Sequence, residues 1–209
     1  MIGSLDSGKL AVLHALRLCG FVDEAGIALR TGYAEGDVRR NLDTAAASGE
    51  AMQRTGRLNG WTLTPAGREV HAALLSAQLE ESGAQSVVEA ADADFVALNY
   101  RFKELCLRWQ ILPGDIPNDH NDAEYDALQV AELANMHGLV VAIIRRFASQ
   151  LTWFGRYEAA FEAALNRVQI GDLRAFTTPL AESYHDVWME LHQDLMSRLG
   201  RKRNASDGS

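Results

Sequence analysis

Three places in the second half of the chain hold polar side chains of the types and spacings that chemistry needs. Asn118-Asp119-His120-Asn121-Asp122, followed by Tyr125 and Asp126, is dense in atoms that can hydrogen-bond a ligand or hold a cation. The same string also suits a plain loop whose Asn or Asp caps the next helix. His185, Met189, His192 and Met196 share one ridge beside Trp188, with Glu190 nearby, because helical spacings of four and seven bring side chains onto one face. Two histidines seven apart are separated by about 10 Å, too far to hold one ion without help from elsewhere, so core-edge packing is the competing use. The third place is Trp109 with Arg108 and Tyr100, where aromatic packing is the default. If His120, His185 and His192 converge, they make a small-molecule or metal pocket in which His120 or His185 can act as acid or base. The residues that would line it are Trp109, Asn118, His120, Asp122, Tyr125, His185, Trp188 and His192. No metal site or cofactor is implied by spacing alone.

A different chemistry belongs to the arginines of the first 60 residues. Arg39 and Arg40, with Asn41 and Thr44, fall on the outer side of a helical pattern, and Arg54 and Arg57 flank a glycine turn. Guanidinium and amide groups presented from a helix and a neighbouring ribbon can read base edges and grip phosphates of duplex DNA. Bulk charge does not help, because the chain carries a net charge of −8. Residues 30–57 alone hold five arginines against four carboxylates, so any DNA contact must come from a local patch.

The elements that would position these groups follow from periodicity. Leu10, Val12, Leu13 and Leu16 mark a helix over 7–19 closed by Gly20. Asp23 caps a second helix that stops at Thr31-Gly32. A tight turn leads into a third over 35–48, with Val38, Leu42 and Ala45 inward. Residues 51–55 and 61–63 read as two strands around Gly56-Arg57-Leu58-Asn59-Gly60, and Thr64-Pro65 as a cap with proline at the first helical position. The order is helix, helix, helix, strand, strand, helix. Gly83 and weak periodicity put a linker at 81–91. Beyond it the chain reads as all helical over 92–200, with segments at 92–111, 122–150, 153–170 and 179–199, the last capped by Thr178. Met136–Ile144 is apolar nearly all round, as in a central bundle helix, and the tail 201–209 reads as frayed.

Helix one, the segment TGYAEGDVRRNLDTAAASGE, the strands and the LTPAGR entry to the fourth helix together resemble MarR-like winged helix-turn-helix transcriptional regulators. The likeness covers roughly residues 8–80. It implies a mainly α fold with an N-terminal winged helix-turn-helix over 1–80 and an all-α C-terminal domain for dimerisation or ligand sensing. It also implies double-stranded DNA as a partner, a homodimer, and a small-molecule effector as an option. Groove reading would fall to Arg39, Arg40 and Thr44, and wing contacts to Arg57. Ala34 stands where a Ser or Thr cap is usual, Gly36 weakens the third helix, and Ala45–Ala47 replace bulkier residues. A winged helix that serves as a protein-docking module therefore stays open beside the regulator, and so does an enzyme built on the histidines.

The remaining features narrow the class. Gly3-Ser4-Leu5-Asp6-Ser7-Gly8-Lys9-Leu10 approaches a phosphate-binding loop, but Leu10 removes the magnesium-binding hydroxyl and no strand precedes it. No uncharged apolar run of about 18 residues and no export signal is read, so a cytoplasmic protein without a membrane partner is expected. Cys19 and Cys106 stand alone, as reduced buried thiols do.

Overall fold

The computed structural model of the chain describes residues 3–57 and 59–201, and among these the fold is mainly helical with short antiparallel strands. The expected tail lies, from residue 202 onward, outside the described residues, as does Leu58 in the first hairpin. The chain divides into two compact units, one running to Gly83 and joined by the segment from Met196, the other spanning Ala84–Leu195.

In the first unit the elements come in the expected order: α1 (Gly3–Cys19), α2 (Glu24–Thr31), α3 (Glu35–Ala47), β1 (Ala51–Arg54), β2 (Gly60–Leu63) and α4 (Pro65–Ser82). Asp23 caps α2 by accepting from the Gly26 amide at 2.8 Å, and Gly32 ends it in the left-handed region at φ 71°. The core gathers Val12, Leu13 and Leu16 of α1, Ile27 of α2, Val38, Leu42 and Ala45 of α3, and Trp61 and Leu63 of β2. Burying this set is what drives three short helices, each marginal alone, to pack on one another. β1 and β2 pair from Ala51↔Leu63 to Arg54↔Gly60. Val22 extends the pairing through two backbone hydrogen bonds with Trp61, of 3.2 and 2.8 Å. Thr64 then caps α4 by accepting from the Gly67 amide at 3.0 Å while its hydroxyl donates to the Gly49 carbonyl at 2.7 Å. Gly67 is required on steric grounds, because a Cβ there would stand 1.8 Å from the Glu50 carbonyl oxygen.

The second unit holds α5 (Gln85–Gln110), the two-residue strands β3 (Ile111–Leu112) and β4 (Ile116–Pro117), α6 (Ala123–Ala148), a 3-10 turn (Thr152–Phe154), α7 (Gly155–Gln169), the short α8 (Arg174–Thr177) and most of α9 (Tyr184–Arg198). Its centre is aromatic: Phe95, Phe102, Phe147, Phe154, Tyr157, Phe161, Phe176, Tyr184 and Trp188 are all fully buried. α6 has the length and composition to cross a membrane, with a mean hydropathy of 1.6 over its most apolar window. Here Leu133, Met136, Val140, Ile144 and Phe147 are buried, and the helix packs against α5 and α7.

Three boundaries differ from the sequence reading. The expected linker 81–91 is helical, because α4 runs to Ser82 and, after left-handed Gly83, α5 starts at Gln85 and buries Val88, Ala91 and Asp92. The turn-rich segment after α5 contains the β3–β4 hairpin, turned by Gly114 and Asp115 at φ 86° and 60°. The last helix starts at Tyr184 and not at Pro179. Leu180 and Glu182 take left-handed backbone, and Ser183 and Asp186 form a reciprocal capping box, with N–H to side-chain oxygen distances of 3.1 Å in both directions.

Candidate nucleic-acid interface

α3 lies on the unit with Val38, Leu42 and Ala45 inward, so the opposite side of the helix projects away from the core. Arg39, Arg40, Asp43 and Thr44 are exposed there, and Arg54 and Arg57 are exposed on the hairpin. Asn41 departs from its expected role. It is half-buried beside Gly8 of α1, and its amide donates back to the Asp37 carbonyl at 2.9 Å, which turns it away from the outer face. The Thr44 hydroxyl donates to the Arg40 carbonyl at 2.9 Å while staying exposed.

The electrostatics of this face are self-compensated. The Arg39 Nε donates to Glu24 of α2 at 2.8 Å, and hydrogen bonding to that carboxylate raises the arginine's pKa further. Arg40 pairs with Asp37 one turn earlier on the same helix. Glu24 is itself held by the Trp61 indole N–H at 3.3 Å. Arg54 and Arg57 form no ion pair among the described residues, so the tip of the hairpin carries the uncompensated positive charge. That hairpin tip is held by the Gly56 amide donating to the Asn59 side chain at 3.1 Å.

In the second unit the polar loop serves mainly to close two helix ends. The Asn118 amide side chain donates to the Trp109 carbonyl at 3.0 Å, its backbone N–H to Gln110 at 2.8 Å, and the Tyr125 hydroxyl to the Arg108 carbonyl at 2.9 Å. These are the carbonyls that the end of α5 leaves without helical partners. Asp122 is the N-cap of α6 and accepts from the Tyr125 amide at 3.0 Å. What remains is a dyad. His120, on left-handed backbone at φ 58°, meets Asp126 at 2.9 Å through Nδ1, and its ring lies 4.5 Å from that of Trp109.

The three histidines do not converge. His192 packs on Phe95 at 5.3 Å between ring centres, His185 on Phe102 at 6.1 Å, and His120 on Trp109. Those aromatics follow one another at seven-residue steps along α5, so neighbouring histidines are spaced by about 10 Å of helix. Trp188 stacks on Phe102 at 4.1 Å and its indole donates to Asn99 at 2.8 Å, which makes it core. Among the described residues no group of three His, Cys, Asp or Glu side chains could hold a metal ion. Burial pushes the pKa of His185 down, against a smaller opposing pull from Asp186.

A buried polar cluster escaped the sequence reading. Asp194, fully buried, accepts from the Trp153 indole at 2.8 Å and the Tyr157 hydroxyl at 3.0 Å, and Arg156 lies over both aromatic rings while pairing with Glu190 at 2.7 Å. Burial pushes the Tyr157 pKa well up, and the nearby Asp194 carboxylate adds to it. The available signal was a carboxylate at Asp194 inside the apolar stripe of Leu191 and Leu195. Neither cysteine is in a disulfide, and burial pushes the Cys106 thiol up to about 12. Comparison with known proteins yields no matching family model, no matching curated protein and no matching solved structure.

Proposed function

We propose that this chain is a transcriptional regulator whose first unit acts as a winged helix-turn-helix, laying α3 in the major groove of duplex DNA and the β1–β2 wing on the flanking backbone. One observation carries the reading: α3 buries a single apolar stripe and turns Arg39, Arg40 and Thr44 outward, next to a hairpin that bears Arg54 and Arg57. The second unit supplies the surface that pairs two copies, since two-fold sites need two reading heads about one DNA turn apart. The cytoplasm is the compartment this role requires.

Purified full-length chain should retard a labelled fragment from the region upstream of its own gene, less so as salt rises. Arg39→Ala combined with Arg40→Ala should abolish the shift while leaving the helical circular dichroism unchanged. A folded wild type that shifts no fragment at any salt, including genomic fragments offered in a binding selection, ends the regulator reading.

A second reading is favoured by the ion pairs themselves. Arg39 and Arg40 each have a carboxylate of the same chain as partner, which fits a protein-docking module that has no use for phosphate. That module would form a complex with another polypeptide through α3 and give no DNA shift.

A further inference from the structure

α5 and α6 run antiparallel and are tied at two levels by cross-helix ion pairs, Arg146 with Asp94 and Arg108 with Glu132. The spacing is regular. Seven residues on from Asp94 is Arg101, and seven more is Arg108; seven back from Arg146 is Leu139, and seven more is Glu132. The middle rung therefore sets Arg101 against Leu139, where the other two set an arginine against an acid. Arg101 makes no ion pair among the described residues, and Leu139 is 46% exposed. Around this rung the side chains are small. Ala97 and Ala142 leave a hollow of about 600 Å³ lined by Asp94, Leu98, Arg101, Leu139, Ile143 and Arg146. Elsewhere on the same two helices Tyr100 of α5 and Leu128 of α6 are more than half exposed.

We infer that this face is where a second copy of the chain docks, with α5 of the two copies crossing antiparallel at the exposed Ala97. The inference deepens the homodimer named above but does not need DNA. Charge complementarity selects the occupant. An antiparallel crossing centred between residues 97 and 98 puts Arg101 of each copy opposite Asp94 of the other, because the two residues are equidistant from that centre. Arg146 engages Asp94 through Oδ2, so Oδ1 is left to accept the second copy's guanidinium. Ala97 at the crossing lets the two backbones approach closely, and the exposed Leu139 at the hollow is then covered. Each helix is about 39 Å long, enough for a four-helix contact of the roughly 800 Å² per partner that stable pairs use.

Sedimentation of the full-length chain at about 10 μM tests this. The wild type should run as a dimer. Arg101→Asp and Asp94→Arg should each run as monomers with unchanged helix content, the first by setting two carboxylates together and the second two guanidinium groups. The double variant, which exchanges the charges, should run as a dimer again. Ala97→Glu, at an exposed position, should also be monomeric with unchanged helix content and guards against a folding defect in Asp94→Arg. A wild type that is monomeric at 100 μM overturns the inference, as does a dimer that survives both single exchanges. A monomer whose melting temperature rises with decanoate, in an Arg101-dependent way, also overturns it and gives the hollow to a small anionic amphiphile. A chain that pairs as described yet shifts no DNA leaves this inference standing and removes the regulator.

Discussion

At the residue scale the decisive contacts are the pairs that hold the α3 arginines. Exposed ion pairs contribute little to folding, so Arg39 and Arg40 can leave Glu24 and Asp37 for phosphate or base at small cost. Asp37→Asn should remove the intramolecular competitor for Arg40 and tighten DNA binding about two- to fivefold, as expected for loss of one exposed pair, by fluorescence anisotropy. Unchanged or weaker binding would mean that Asp37 orders Arg40 for contact. His185 offers a second residue-scale test. Burial disfavours its imidazolium, so its folded pKa lies below the ordinary value near 6.5 and the unfolded chain takes up the proton first as pH falls. The folded state is thus unpenalised above about pH 6.5 and loses stability as pH drops through that value. Between pH 7.5 and 5.5 the wild-type urea midpoint should fall further than that of His185→Gln, and equal falls would show that other groups govern the acid side.

At the element scale, steric necessity sits where α4 begins. A Cβ at Gly67 would stand 1.8 Å from a backbone oxygen, which no rotamer change can relieve. Gly67→Ala should therefore cost about 1–3 kcal/mol or more, read from urea unfolding, even though alanine is the better helix former. Asp186 closes the entry to α9 by accepting from the Ala181 and Ser183 amides at 3.1 Å each, and Asp186→Ala should cost about 1 kcal/mol by the same assay. These two sites also show what the sequence could tell. Thr64-Pro65-Ala66-Gly67 announces its helix by local rules alone, since cap, proline and glycine act within four residues, and the inward set Val38, Leu42 and Ala45 was legible from period alone. Thr178-Pro179 carries the same local signal but loses to Ser183, because the backbone reverses at Leu180 and Glu182 to let Asp186 collect three amides, a choice made by tertiary packing. The exposed arginines were legible from α3's period, whereas their carboxylate partners were not in the case of Glu24, which reaches α3 only through packing of α2. The separation of His120, His185 and His192 was equally hidden, being fixed by which aromatic of α5 each ring meets.

At the scale of the whole molecule, a net charge of −8 bears directly on the proposed binding to a polyanion. The long-range field of such a chain repels duplex DNA, so association gains nothing from steering and must rest on short-range contacts. On the proposed reading Arg54 and Arg57 are the cations best placed for this, being exposed on the β1–β2 hairpin and unpaired with any described carboxylate. If each grips one phosphate in each half of a dimer, four phosphates are neutralised by the wings, and each contributes about 0.9 to the slope of log affinity against log salt. Arg54→Ala with Arg57→Ala should then flatten that slope by about 3 to 4 units and weaken binding to all sequences alike, whereas loss at α3 should fall on the preferred sequence. A wing variant with an unchanged slope would place the backbone grip elsewhere on the chain. Because non-specific binding is almost wholly this electrostatic term, the proposed regulator should hold random DNA poorly and show a large ratio of specific to non-specific affinity.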